Sequence, residues 1–178
     1  MRTRGGLITI AVVASLLVGG AAAALASSSP AGGSIAFFGT PTGSLVGGTI
    51  LFTGAIGDHG TYLTINRNGK ANIDGAYVRV TLTKGSFEFN DTTLNARASH
   101  ASPAINEVTC SGATTVTAPV PILDGTGLYR GISGSASVTE FFGFLLSHLA
   151  NGKCDAAAGA APIARYFSII GGGSVKFG

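Results

Sequence analysis

The chain carries 28 glycines, and all but Gly5, Gly6, Gly19 and Gly20 lie beyond residue 26, set between short runs of β-branched and aromatic residues. This is about twice ordinary glycine usage, with no collagen-like period. Glycine weakens helix interiors but supplies the dihedrals of tight turns and bends at low steric cost. A chain punctuated in this way is limited to strands joined by turns. The candidate strands are Ile35–Thr40, Thr49–Ile56, Thr61–Asn66, Ala76–Phe89 with a bend, Glu107–Val116, Gly131–Phe142 and Ile163–Phe177 with an interruption at Gly171–Gly173, each bounded by Gly, Pro, Asn or Asp.

Alternation with period two is clearest from Tyr77 to Thr83, where Val78, Val80 and Leu82 share one face and Arg79, Thr81 and Thr83 the other. Beyond Lys84-Gly85 the apolar phase moves to Phe87 and Phe89, which places a bulge or a turn at Gly85. Asn68-Gly69 and Asp74-Gly75 read as connections between antiparallel neighbours. Two segments break the pattern and read as short helical turns: Asp91–His100, with Asp91 as cap, and Phe144–Leu149, ending at Asn151-Gly152. A chain of seven or eight strands hides its edges by closing into a barrel or stacking as a sandwich. Several strands are apolar on both faces, as in Ile163, Phe167 and Ile169 against Tyr166 and Ile170, which favours one face on a lumen and the other on a partner or cover. The expected fold is all-β: one antiparallel, eight-stranded, closed barrel with one or two short helical turns over residues 34–178, preceded by a flexible segment at 27–33.

Residues 1–26 have a different layout. Arg2 and Arg4 precede the apolar run Leu7–Val18, and small residues lead to Ala24-Leu25-Ala26, the three-part plan of a secretory signal peptide. The stretch from Gly5 to Ala26 is also long enough to cross a bilayer, but its second half is Gly and Ala, and Ser27-Ser28-Ser29-Pro30 suits a peptidase better than a stop-transfer flank. The expectation is export, with no membrane attachment after cleavage. Arg2 and Arg4 are two of the 11 Lys and Arg, so the rest of the chain is close to balance against 8 Asp and Glu, with no basic patch to bind nucleic acid. Cys110 and Cys154 are the two cysteines, and an even count in an exported chain reads as a disulfide. A metal site needs more ligands than two distant thiols, and His59, His100 and His148 lack ligand spacing, so no metal is expected.

The sharpest local signature is Gly125-Thr126-Gly127-Leu128-Tyr129-Arg130-Gly131-Ile132-Ser133-Gly134, a G-T-G-x-Y-x-G-x-x-G string at the head of a strand. It resembles the strand-turn signature of the allene oxide cyclase and dirigent barrel superfamily. Val80–Phe87 and Ala164–Phe177 are similar to the corresponding stretches of secreted actinobacterial members. The resemblance implies an eight-stranded antiparallel barrel with an apolar lumen, often trimeric and free of cofactors, whose plant relatives cyclise an unsaturated epoxide or steer the coupling of phenoxy radicals. It implies a structural part for Gly125, Gly127, Tyr129, Gly131 and Gly134: tight turning, close backbone approach and a Tyr packed in the wall. The string is not a phosphate cradle, because Arg130 breaks the G-x-G-x-x-G spacing.

No set of residues spells out a reaction. Glu140 lies between Val138 and Phe142 on one strand face. Facing inward, it is a carboxyl with a raised pKa in an apolar lumen, fit for acid or base work or for anchoring a polar ligand group; facing outward, it is a solvated Glu among Ser137 and Thr139. Arg165, between Ile163 and Phe167, poses the same question, and if both face inward they pair. Tyr62 and Arg79 are further lumen candidates. Asp58-His59, flanked by Gly57 and Gly60, reads as a solvated hairpin tip. Three functions remain open: a non-catalytic binding or scaffold module for a small apolar or aromatic ligand, a cofactor-independent isomerase or cyclase with Glu140 as its acid or base, and a structural envelope protein that assembles with copies of itself.

Overall fold

A computed structural model describes residues 31–157 and 160–178, so the expected signal segment, and all but the last three residues of the expected flexible lead, lie outside the described residues. The described chain forms strands β1 (Gly33–Thr42), β2 (Ser44–Gly54), β3 (Asp58–Ile65), β4 (Tyr77–Leu82) and β5 (Gly85–Asn90), helix α1 (Thr92–Ala98), strands β6 (Ala104–Asn106) and β7 (Ser111–Leu123), a 3-10 turn at Gly127–Tyr129, and strands β8 (Ser133–Leu145) and β9 (Ala164–Lys176). The hydrogen-bonded order is β5-β4-β3-β2-β1-β9-β8-β7-β6, and β5 also pairs with β7. The sheet thus closes as an eight-stranded antiparallel barrel, with β6 a short flap on the start of β7.

Closure is uneven around the barrel. β8 and β9 stay in register from Ser133 opposite Lys176 to Leu145 opposite Ala164, whereas β5 and β7 meet only at Glu88–Leu123 and Phe89–Ile122. Toward the other end the two strands part, and α1 fills the seam. Leu94 is fully buried there, Asn95 Nδ2 donates to Gly75 O at 2.7 Å, and Arg97 donates to Thr117 O on the unpaired edge of β7. Because β7 has a strand neighbour on one side only between Thr114 and Pro121, it tolerates Pro119 and Pro121, which have no N–H to give. For this reason the strand runs to Leu123, well past the Val116 end that residue patterning suggests.

Two other expectations change and one holds. β9 runs unbroken through Gly171–Gly173, where an interruption is expected from sequence. The turn expected at Gly85 is present. The run Ala76–Phe89 is two strands, with Gly85 (φ +155°) at the hairpin between them. Phe144 and Leu145 belong to β8, and no helix follows: His148 forms an isolated bridge with Cys154 instead. The disulfide joins Cys110 to Cys154, a sequence separation of 44, and ties the turn before β7 to the loop after β8. Closing a loop of this length is worth about 4 kcal/mol in the chain-entropy view. A disulfide fits an oxidising, extracytoplasmic setting.

The two ends of the barrel are filled differently. At one end Phe37, Phe52, Phe87, Phe89 and Tyr129 form a continuous aromatic core, with neighbouring ring centroids 5.0–5.7 Å apart. A Cβ on Gly171 would lie 2.3 Å from Phe37 Cζ, so a glycine on β9 makes the room that this ring occupies. Beneath the core, Asp58 is only 6% exposed. One of its oxygens accepts from Thr83 Oγ1 at 2.6 Å and His59 N at 2.8 Å, the other from Tyr129 Oη at 2.6 Å and Lys84 N at 3.0 Å. Burial alone would raise this carboxyl, but the four donors outweigh it and hold Asp58 well below the usual carboxylate range. Asp58 is therefore a buried tie between β3, the β4–β5 hairpin and the 3-10 turn, not a solvated tip. It also gives the Tyr of the glycine string a second task beyond packing. Gly127 (φ +59°) brings that turn so close to the hairpin that a Cβ would fall 2.4 Å from Lys84 O.

Candidate functional site

The end of the barrel away from the aromatic core is hollow. Here β5 and β7 diverge, and the cover is α1, the segment Ser99–Pro103 and Ile73 from the β3–β4 loop. They border a cavity of about 590 Å³ that opens to solvent. Its apolar wall includes Val78, Val116, Phe142, Phe167 and Ile169, contributed by β4, β7, β8 and β9. This size and lining match sites for small organic molecules, which commonly occupy about 300–1,000 Å³.

Four ionisable groups line the cavity: Asp74, exposed on the β3–β4 loop, and three from separate elements that are withdrawn from water. Strand alternation carries Tyr62 inward from β3, and its ring is buried, 3% exposed. Its hydroxyl has no hydrogen-bond partner among the described residues, although buried Tyr hydroxyls ordinarily find one. Glu140 projects from β8 in phase with the buried Val138 and Ala136, and its neighbours across the ladders are Val116 and Ile169. Asp91 comes from the junction of β5 and α1. It holds the N-cap position but its side chain makes no cap hydrogen bond; Asn90 Oδ1 instead accepts from Thr92 N at 3.2 Å. The Asp91 carboxyl is left to the cavity wall.

Desolvation governs all three groups. Burial raises Glu140 above the usual carboxylate range. Burial, and then the charge of Glu140, push Asp91 up to about 7, and the same two causes push the Tyr62 hydroxyl up to about 12. A carboxyl titrating near neutrality beside a second raised carboxyl can hold or release a proton at physiological pH, and either can fix a ligand's polar group.

Of the residues singled out from sequence, Tyr62 and Glu140 line this cavity together. Arg79 does not. It sits out of phase with Val78 and Val80 on the outer face of β4, where Nε and Nη2 donate to Glu88 Oε1 at 3.0 and 2.9 Å, directly across the ladder. Arg165 is exposed and lies opposite Phe144, four residues along the strand from Ile169, the partner of Glu140. It makes no ion pair with Glu140. The residue that sequence patterning misses is Asp91, because an Asp before Thr92 reads as an ordinary cap. The one available signal is its position right after the inward-facing Phe87 and Phe89. Among the described residues no three His, Cys, Asp or Glu side chains come close enough to hold a metal ion.

Comparisons with family models, with curated proteins and with solved structures find no match to this chain.

Proposed function

We propose that this protein is an exported barrel of the allene oxide cyclase and dirigent type that binds a small, largely apolar molecule in its hollow end. The observation that carries this reading is the cavity of about 590 Å³, into which a buried Tyr62 hydroxyl opens with no partner among the described residues. An unpaired buried hydroxyl costs roughly 1–3 kcal/mol, a cost that a ligand's polar group would relieve. The glycine-Tyr string and the closed eight-stranded sheet support the kinship, and the Cys110–Cys154 bond supports export.

The test uses N-phenyl-1-naphthylamine, a neutral apolar dye that brightens on leaving water. The wild-type protein binds it saturably at one site, and Thr114→Trp, which fills the cavity from β7, abolishes binding while the fold persists by circular dichroism. Absence of saturable binding overturns the reading, as does binding that Thr114→Trp leaves intact.

A second reading comes from the carboxyl pair: cofactor-free isomerisation or cyclisation, with Glu140 and Asp91 moving a proton on a bound apolar substrate. Asp91, titrating near 7, is suited to both halves of such a transfer. Turnover of an accepted compound that survives Glu140→Gln and Asp91→Asn unchanged would remove this reading while leaving the binding site in place.

Self-association, implied by the resemblance, has a matching surface. Leu51, Phe38 and Ile170 lie opposite one another on the outer faces of β2, β1 and β9, each about half exposed (53%, 48% and 49%). Exposed apolar rows of this kind mark contact surfaces.

A further inference from the structure

The hollow end has a one-sided charge. Asp74, Asp91 and Glu140 all line the cavity, and no Lys, Arg or His stands among its described lining residues. The nearby cations are engaged or exposed, His100 of the covering segment among the exposed ones. Arg97 of α1 is held by Thr117 O, Arg79 by Glu88 outside the barrel, and Arg165 is exposed and not part of the lining. Asp74 is exposed, but Asp91 is buried and Glu140 half-buried with no internal counter-ion, an arrangement that costs stability unless the carboxyls hold protons or a ligand supplies positive charge.

The remaining polar groups favour the same complement. Tyr62 Oη is buried without a partner among the described residues and can accept. Asn95 donates one amide N–H to Gly75 O, which leaves its carbonyl oxygen free to accept and its second N–H free to donate. An ammonium group brings only donors and one positive charge, so it satisfies acceptors and neutralises carboxylates together. A carboxylate ligand would add a further negative charge beside Glu140 and Asp91, and an alcohol would relieve the hydrogen bonding but not the charge. A metal ion is a poor alternative, because no three carboxyl or other ligating side chains among the described residues converge closely enough to hold one.

We infer that the ligand of this cavity is a lipophilic amine, its ammonium held by Glu140, Asp91 and the Tyr62 hydroxyl and its hydrocarbon part lying along Val116, Phe142, Phe167 and Ile169. This assignment rests on the proposed binding role and narrows it to one chemical class. It also sets the cavity apart from lumens that receive acidic lipids.

Isothermal titration calorimetry at neutral pH with octylammonium, octanol and octanoate tests it, because the three have eight carbons each and differ in the charge of the head group. Octylammonium is expected to bind at least about tenfold more tightly than octanol, since a charge-assisted hydrogen bond is commonly worth that factor or more, and octanoate to give no binding heat. In the Asp91→Asn, Glu140→Gln double variant the affinity for octylammonium falls to that for octanol, while octanol itself is unchanged. Both substitutions keep the side-chain size and remove only the ionisable carboxyl, and thermal unfolding checks that the barrel is retained. Octanol binding as tightly as octylammonium, octanoate binding at all comparably, or selectivity that persists in the double variant would overturn the amine assignment and leave the binding reading standing. If none of the three binds, both fall together.

Discussion

Tyr129 and Asp58 show how much one buried hydrogen bond can organise. The hydroxyl of the glycine-string tyrosine reaches a carboxylate 71 positions earlier in the chain, and three other donors fix the same group. Tyr129→Phe leaves those three donors in place and removes one charge-assisted bond, so urea unfolding should register a loss of about 1.5–3 kcal/mol; a loss below about 0.5 kcal/mol would mean that the tie is dispensable. Since the folded state depresses the Asp58 pKa, its contribution is complete above the unfolded value of about 3.9 and fades as pH falls below it. Asp91 has the opposite sign. Its pKa is raised to about 7 in the folded protein, so the fold favours its neutral form, and the stability gained is full below about pH 4 and lost as pH rises toward 7. Asp91→Asn should accordingly raise stability at pH 7 by roughly 2–4 kcal/mol and flatten the decline between pH 4 and 7. A variant that is less stable than wild type at pH 7 would show that the carboxylate is compensated within the protein.

At the level of strands and turns, alternation is the readable signal, and it succeeds where a strand has a single buried face. Val78, Val80 and Leu82 point inward as the pattern requires, and the same parity carries Glu140 inward with Val138. It also sets Arg79 outside, so a lumen position for Arg79 requires the less favourable phase. β7 reads short from sequence because Pro119 and Pro121 look like strand breakers, and only the open seam beside them explains their tolerance. The inward roles of Asp58 and Asp91 are hidden for a similar reason. Each occupies a local context, a Gly-flanked turn and a helix cap, that accounts for an Asp without any distant partner. The seam itself makes a prediction. With only two residue pairs between β5 and β7, the amides of α1 and the facing edge of β7 should exchange hydrogen faster than those of β8 and β9, which pair along their whole length; uniform protection around the barrel would contradict this. The Gly171–Phe37 contact gives another. Gly171→Ala should cost about 1–3 kcal/mol by overpacking, and Phe37→Leu in the same chain should recover part of that loss, because the clash is with the ring. Equal losses with and without the ring would place the strain in the backbone.

On the scale of the whole molecule, the barrel divides its labour between its ends. An aromatic core and the Asp58 tie close one end, while the other is left hollow under a short helix, with buried acids in its wall. The divergence of β5 from β7 underlies both features, since a fully zipped seam would leave no space for α1 or for the cavity. The outer row of Leu51, Phe38 and Ile170 is the rival apolar surface. The most direct measurement is therefore a set of intermolecular nuclear Overhauser contacts between bound N-phenyl-1-naphthylamine and assigned methyl groups of the protein. Contacts to Val78, Val116 and Ile169 are the predicted result. Contacts confined to Leu51 and Ile170 would move binding to the outside of the barrel and contradict the hollow end as the functional site.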